Sequence, residues 1–408
     1  MYAAAERVIG VYGMGLTQQV HGTQTIGLLV NLLLMRGNIG RQGAGICPVR
    51  GHSNVQGQRT VGISEKPELV PLDTMATMFD FEPPRDTGLT TVDACQGIRD
   101  GSVQAFIGLG GNFVRAIPER DAMEAAWTNM ALTVSVAIKL NRTHVLPGQT
   151  AYLLPCLTRS EEDLQASGPQ AVSIEDSFSH IHGSVGKRQP ASPHLLSELA
   201  IVAGIAKATL ASHPKWCWDA WTADYGVVRN LIAQTWPEQF KNYNARLFDS
   251  GGFYRGNSAH NRQWETDSGK VEFTVPTVMS ALGVGPAPGR YHLITMRSND
   301  QFNTTIYGFS DRLRGLEGSR AIVLINPADM ARAGLQAGDK VSLLSDAGDD
   351  VHREVPGLAV MPFDLPDGCL GGYYPEMNPL IPLWYHDAVA KTPASKGVPV
   401  RLEKTSAL

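Results

Sequence analysis

The sequence predicts doubly wound, parallel-sheet α/β domains followed by a small closed β-barrel. Three observations carry that expectation. The first 150 residues hold two strand–glycine-turn–helix units, "GVGPAPG" at 283–289 reads as a linker, and β-like runs follow it. At 408 residues the chain is too long for one ordinary core. The expected units are 1–150, doubly wound α/β; 151–287, a mixed α/β portion; and 288–408, the barrel.

"RVIGVYGMG" reads as a buried strand from Val8 to Tyr12 ending at Gly13 and Gly15. "HGTQTIGLLVNLLLMRGNIG" is then a helix, capped near Gly22 or Thr23 and stopped at Gly37. The order returns at 103–147: "VQAFIGLGGNFV" is a strand entering the turn Gly108, Gly110 and Gly111, "PERDAMEAAWTN" a helix, and "LTVSVAIKL" another strand. Ligand loops are expected where these strands end. From 149 to 285 aromatics, prolines and short helices dominate. There "SPHLLSELAIVAGIAKATL" predicts a helix starting at Ser192 or Pro193, and "TDSGKVEFTVP" a turn and strand. After the linker, "YHLITMRS", "AIVLINP", "KVSLLSD" and "HREVPGLAVM" are strands, with one helix, "PADMARAGLQAG", capped by Asn326.

A net charge of −4 gives no general affinity for nucleic acid or membrane surfaces. The longest apolar run, "IGLLVNLLLM", is a core-helix length and too short to cross a bilayer. Cys47, Cys95, Cys156, Cys217 and Cys369 lie far apart with no CxxC pair, which points to reduced thiols in a cytoplasmic protein and away from an iron–sulfur or zinc site of this chain alone. His180 and His182 form an H-x-H pair lacking a third ligand by spacing. The glycine turns do not spell the dinucleotide fingerprint G-x-G-x-x-G, no acid follows at ribose distance, and a P-loop is absent.

The most distinctive stretch is "CPVRGHSNVQGQRTVG", Cys47 to Gly62. Arg50 stands among neutral amides with no acidic partner nearby in sequence. Two readings are open: Arg50 pairs with a distant carboxylate, or its guanidinium fork receives an anion.

"GMGLTQQVHGTQTIGLLVNLLLMRGNIGRQGAGICPVRGHSNVQG" resembles the molybdopterin oxidoreductases of the dimethyl-sulfoxide-reductase superfamily, nearest the formate-dehydrogenase alpha-subunit-like clade. "GGN", "LPG", "SGKVEF" and "YYPEMNPLIP…AKTPASKGVPVRLE" continue the resemblance to the C-terminal end. It implies dinucleotide-binding α/β domains, a six-stranded double-psi barrel at the end, and a bis-molybdopterin guanine dinucleotide carrying molybdenum or tungsten. It also implies that an N-terminal region, with a metal-ligating cysteine, selenocysteine or serine and often a [4Fe–4S] cluster, precedes the stretch seen here. The chain thus reads as the C-terminal half of an enzyme, inactive alone, whose partners are that other half, a small substrate and an electron-transfer protein.

By the same resemblance, Arg50 falls on the active-site arginine that orients an anionic substrate. His52 stands where formate enzymes carry glutamine, and is expected to assist proton transfer. Cofactor contacts are expected from Gly13, Met14, Gly15, Thr17 and Gln18; from Gly51 and Asn54; and from Gly108, Gly110, Gly111 and Asn112. The barrel adds Arg297, Asn299, Gln301, Asn303, Tyr374, Asn378 and Lys396. Cations would meet pyrophosphate, and amides would read the edges of guanine and pterin. No metal ligand is assigned within the chain. The rival reading is a non-catalytic pterin- or nucleotide-binding relic or assembly subunit.

Overall fold

The computed structural model describes residues 1–52, 54–277 and 289–405. Strand Ile9–Tyr12 pairs in parallel with Gly45–Pro48, and helix Gly22–Met35 makes the crossover between them. Gly10 lets that helix approach: a Cβ there would lie 3.0 Å from Leu33 Cδ1. The apolar run of the helix is interrupted by Asn31 for a reason invisible in sequence. Its amide donates to Thr274 O at 2.7 Å and accepts from Thr274 N at 3.0 Å. The segment 270–277, expected as a strand, is therefore extended chain held by a side-chain amide instead of a neighbouring strand.

A second parallel sheet orders Ala105–Leu109, Leu132–Ala137 and Thr150–Pro155. One face packs on helices Thr91–Asp100 and Arg120–Trp127 through Val92, Cys95, Ile98, Met123 and Trp127, and the other meets helix Glu198–Thr209, where Val136, Leu154 and Cys156 contact Ile201 and Ile205. Thr90 and Asp93 cap the first of these reciprocally. In the middle of the chain, Phe253–Tyr254, His180–Ser184 and Val172–Glu175 form an antiparallel sheet. The helix expected from Ser192 begins instead at Glu198, where Ser197 Oγ accepts from Ala200 N at 3.1 Å. The preceding residues form a turn, Leu195 N donating to Ser192 O at 3.3 Å, before Leu196 bridges to Cys156 beside the parallel sheet.

The C-terminal region is the expected closed barrel, in the order Arg290–Met296, Cys369–Tyr373, Ile322–Ile325, Glu354–Pro362, Lys340–Ser345 and Lys396–Lys404. Two pairings are parallel, Arg290–Met296 with Cys369–Tyr373 and Ile322–Ile325 with Glu354–Pro362, and the others antiparallel. Leu293, Val323, Ile325, Val341, Leu343, Leu358, Val360 and Val398 fill its interior. Asn326 caps the intervening helix as the sequence indicates, accepting from Ala328 N at 2.7 Å. The linker "GVGPAPG", save Gly289, lies outside the described residues.

Two buried acids fasten the barrel to the α/β part. Asp387 accepts from Thr23 N at 2.9 Å and Thr23 Oγ1 at 2.7 Å, so a residue 364 positions away caps the first crossover helix. Its carboxyl titrates below the usual range: burial pushes upward, and donors from Ala390, Thr23 and Val389 outweigh it. Glu119 accepts from Arg353 Nε at 3.1 Å and Nη2 at 2.5 Å, and pairs with Arg99.

Candidate functional site

The glycine turns, the Arg50 loop and one rim of the barrel converge. After strand Ile9–Tyr12, residues Met14–Thr17 form a short helical turn, and Gln18 closes it against the barrel. Gln18 O accepts from Lys396 N at 3.0 Å, and its Oε1 accepts from Ser395 Oγ at 2.9 Å. Gly15 faces open space, and Met14 lies against Gly51, where an added Cβ would sit 3.7 Å from Met14 Cε. Gly13 is extended and needs no special freedom; Thr17 is partly buried. At the second turn Gly110 and Gly111 have φ of 72° and 83°, which favours glycine, and an added Cβ on either meets nothing. Gly108 is not in the turn: it lies within its strand, where a Cβ would sit 2.7 Å from the Phe106 ring.

Several of the expected amides are turned inward. Asn112, buried, accepts through Oδ1 from Thr143 N at 3.3 Å and Thr143 Oγ1 at 3.1 Å. Asn378 donates to Arg115 O at 3.0 Å, locking the barrel rim to the second turn. Asn54, with φ 63°, accepts from Glu175 N at 3.0 Å. Gln301 donates to Asn303 O at 2.8 Å and Tyr374 O at 2.9 Å while accepting from Ser298 N at 3.0 Å. These four shape the loops; the polar atoms named here already have protein partners.

Arg50 is exposed and donates from Nη2 to Gln56 Oε1 at 2.7 Å. Gln56 passes the link to Glu175 at 2.8 Å, and Arg255 Nε holds the same carboxylate at 2.8 Å. The nearest acid in this relay is thus already neutralised, and Arg50 keeps its other donors free among the described residues. His52 Nε2 lies 2.8 Å from Asn303 Nδ2, and its ring meets Phe302 edge-on at 5.4 Å. Its pKa is lowered, chiefly by burial and then by the charge of Arg297.

Around Tyr374 two guanidiniums gather, and the nearby acid that acts on it, Glu376, is paired with Arg320. Arg297 lies over the Tyr374 ring at 5.2 Å, and neither Arg297 nor Arg115 enters an ion pair among the described residues. Both guanidiniums act on the Tyr374 hydroxyl, yet burial dominates and pushes it up to about 12. Among the described residues the Lys396 ammonium donates only to Thr295, through the carbonyl and through Oγ1 at 3.2 Å. Burial first, and Arg297 second, lower its pKa to about 8. Nearby, Asn299 Nδ2 and Asn303 Oδ1 are buried with no partner among the described residues. Arg115 went unread in the sequence, although a cation four residues past Gly111 was the available signal.

The H-x-H pair is occupied otherwise. His182 Nε2 meets Asp176 Oδ2 at 2.9 Å, and His180 stacks near Tyr254 at 5.3 Å. No group of three or more metal-ligating side chains occurs among the described residues, and no helix among them is long and apolar enough to cross a membrane.

Residues 291–399, the barrel, match the family described as the molydopterin dinucleotide binding domain. The whole chain is similar to Protein YdeP of Escherichia coli O6:H1, 44% identical over 99% of this chain and 53% of that protein. It is likewise 42% identical, over 100% of this chain and 52% of that protein, to Uncharacterized oxidoreductase Rv2900c of Mycobacterium tuberculosis. The chain thus spans about half the length of the curated relatives it matches. Acetylene Hydratase from Pelobacter acetylenicus superposes with a TM-score of 0.57 over 95% of this chain and 59% of that one, at 14% identity, which shows the fold. The domain match, with the oxidoreductase-named relative, supports the molybdopterin oxidoreductase superfamily and a molybdopterin cofactor.

The rim suits such a group. Unpaired Arg115, Arg297 and Lys396 match anionic phosphates, the orphaned atoms of Asn299 and Asn303 match a hydrogen-bonding heterocycle, and Gly15, Gly110 and Gly111 leave room for close approach.

Proposed function

We propose that this chain is the dinucleotide-binding part of a molybdenum- or tungsten-dependent oxidoreductase that uses bis-molybdopterin guanine dinucleotide, acting on a small anionic or oxo-bearing substrate. The carrying observation is that Arg115 and Arg297 converge on Tyr374, with Lys396 beside Arg297 and none of the three in an ion pair among the described residues, on a barrel that matches a pterin-dinucleotide domain. When bound, the metal and its pterins supply the two-electron chemistry.

The chain's own residues set geometry and charge. Arg297 and Lys396 neutralise phosphate, and binding an anion there favours the protonated ammonium that burial now disfavours. Arg50 receives the substrate through the donors that Gln56 leaves free, while the Gln56–Glu175–Arg255 relay fixes its guanidinium plane. His52, kept neutral at pH 7 by its lowered pKa, offers a ring nitrogen to a proton in transit, with Asn303 and Phe302 orienting it. The resemblance to formate dehydrogenases bears on that same substrate class; histidine at 52 in place of glutamine favours a reaction that moves protons as well as electrons.

The test is cofactor content. Pterin released from the purified assembly is measured by fluorescence after oxidation, and metal by mass spectrometry. Arg297→Ala and Lys396→Ala each lower loading, on the order of tenfold for loss of one charge-assisted contact to phosphate. Full loading in the double variant sinks the assignment of the rim.

A further inference from the structure

Beside the first sheet lies a cavity that the cofactor reading does not use. Its volume of about 740 Å³ is within the range of small-molecule sites. It opens at Ile9, where strand Ile9–Tyr12 begins, whereas the glycine turn at the pterin rim follows Tyr12. The two lie at opposite ends of the strand, about 10 Å apart along it.

The cavity has two kinds of wall. On one side Ile9, Ile46 and Phe178 are apolar, and the Tyr254 ring stands 5.3 Å from His180 and 5.6 Å from His260. Asp176 also lines it, but both of its oxygens are engaged. Oδ1 accepts from Phe178 N at 2.9 Å and His180 N at 3.0 Å, and Oδ2 meets His182 Nε2 at 2.9 Å. The other wall is the loop 39–43. Its five successive amides, Ile39 N to Gly43 N, find no acceptor among the described residues. Gly40 and Gly43 have φ of 69° and 74°, the left-handed conformation from which concave runs of amides are built. Arg262 and Arg7 flank this loop. Arg262 Nε donates to Gly40 O at 3.1 Å, and an added Cβ on Gly43 would sit 3.5 Å from Arg7 Cδ. Both guanidiniums are exposed, and neither enters an ion pair among the described residues. The crossover helix does not need them to close it, because Gly37 N and Asn38 N already cap Leu34 O and Leu33 O at 2.9 Å and 2.8 Å.

We propose that this cavity is a second ligand site, which takes a small aromatic anion. The ring lies against Phe178 and Tyr254, and its carboxylate or phosphate accepts from the loop amides and from Arg7 and Arg262. The two walls select this class together. An inorganic anion leaves the apolar side unfilled, and a neutral ring leaves the amides and guanidiniums unmet. The site stands apart from the pterin rim, so the proposal does not depend on the cofactor reading.

Isothermal titration calorimetry of the 408-residue chain tests it with four probes. Benzoate and phenyl phosphate carry a ring with each head group, benzamide a ring without charge, and inorganic phosphate a charge without a ring. Benzoate or phenyl phosphate is expected to bind roughly tenfold more tightly than either benzamide or inorganic phosphate, and the tighter of the two identifies the head group. With that probe bound, amide hydrogen exchange slows over residues 39–43. Arg7→Ala with Arg262→Ala weakens binding by roughly tenfold or more, through loss of two charge-assisted contacts. Phe178→Ala, on the ring side, weakens it several-fold and decides the matter if the arginine variant misfolds. The proposal is overturned by no binding of either aromatic anion, by benzamide or inorganic phosphate binding as tightly, by affinity that these variants leave unmoved, or by slowed exchange that spares residues 39–43. Pterin content of the assembled enzyme carrying Arg7→Ala with Arg262→Ala stays at the wild-type level. A fall there would move both arginines to the cofactor site and overturn the proposal as well.

Discussion

Lys396→Met is predicted to stabilise the free protein while impairing the site. Lys396 is a mostly buried ammonium with no acidic partner, and its pKa falls from 10.5 to about 8. The difference is about 2.5 pH units, which at ~1.4 kcal/mol each is on the order of 3 kcal/mol of penalty carried by the charged form at pH 7. Methionine removes that penalty and keeps the volume, but gives up two hydrogen bonds to Thr295, worth ~1 kcal/mol each. The net gain is ~1 kcal/mol. The sign with pH follows from linkage. The folded pKa lies below the unfolded one, so between about 8 and 10.5 the unfolded chain holds more protons and wild-type stability rises with pH. The advantage of the variant is therefore full below pH 8 and gone by 10.5. Thermal melts of both proteins at pH 7 and pH 10, in buffer free of phosphate and pyrophosphate, measure it. Added pyrophosphate, by favouring the ammonium, raises the wild-type melting temperature more than the variant's, which retains only Arg115 and Arg297. A variant less stable at pH 7, or a difference independent of pH, refutes the argument that the site is a charge held in reserve for an anion.

Arg50→Lys keeps the charge and loses the fork, so turnover in the complete enzyme falls by ~2–4 kcal/mol of transition-state stabilisation with pterin content unchanged; loss of both together returns Arg50 to a structural role. Glu119→Gln removes one of the two carboxylates that hold buried Arg353, Asp349 being the other, at the junction of barrel and α/β part, which costs ~1–3 kcal/mol. Chemical denaturation followed by tryptophan fluorescence reads that loss, and a change under ~1 kcal/mol contradicts a bridging role.

Much of the architecture was legible because it is local. Apolar runs of strand length ending in glycine, the helix length of Gly22–Met35 and the Asn326 cap are fixed by neighbouring residues. The sequence alone also singled out the loop around Arg50, since one guanidinium among amides is anomalous wherever it folds. Where propensity and tertiary partners compete, the sequence misled. A strand expected at 270–277 is chain tied to Asn31, and a helix expected at Ser192 waits until Ser197 can cap it. Asn112, Asn378 and Gln301 looked like ligand-reading amides, and their bonds to Thr143, Arg115 and Tyr374 depend on residues far away in sequence. Only the tertiary structure brought Arg115 and Arg297 to one tyrosine and Lys396 to Arg297, and relayed Arg50 through Gln56 to an acid already held by Arg255. Each of these is decided by distance in space, because charge, burial and hydrogen bonding act over a few ångströms and ignore separation along the chain.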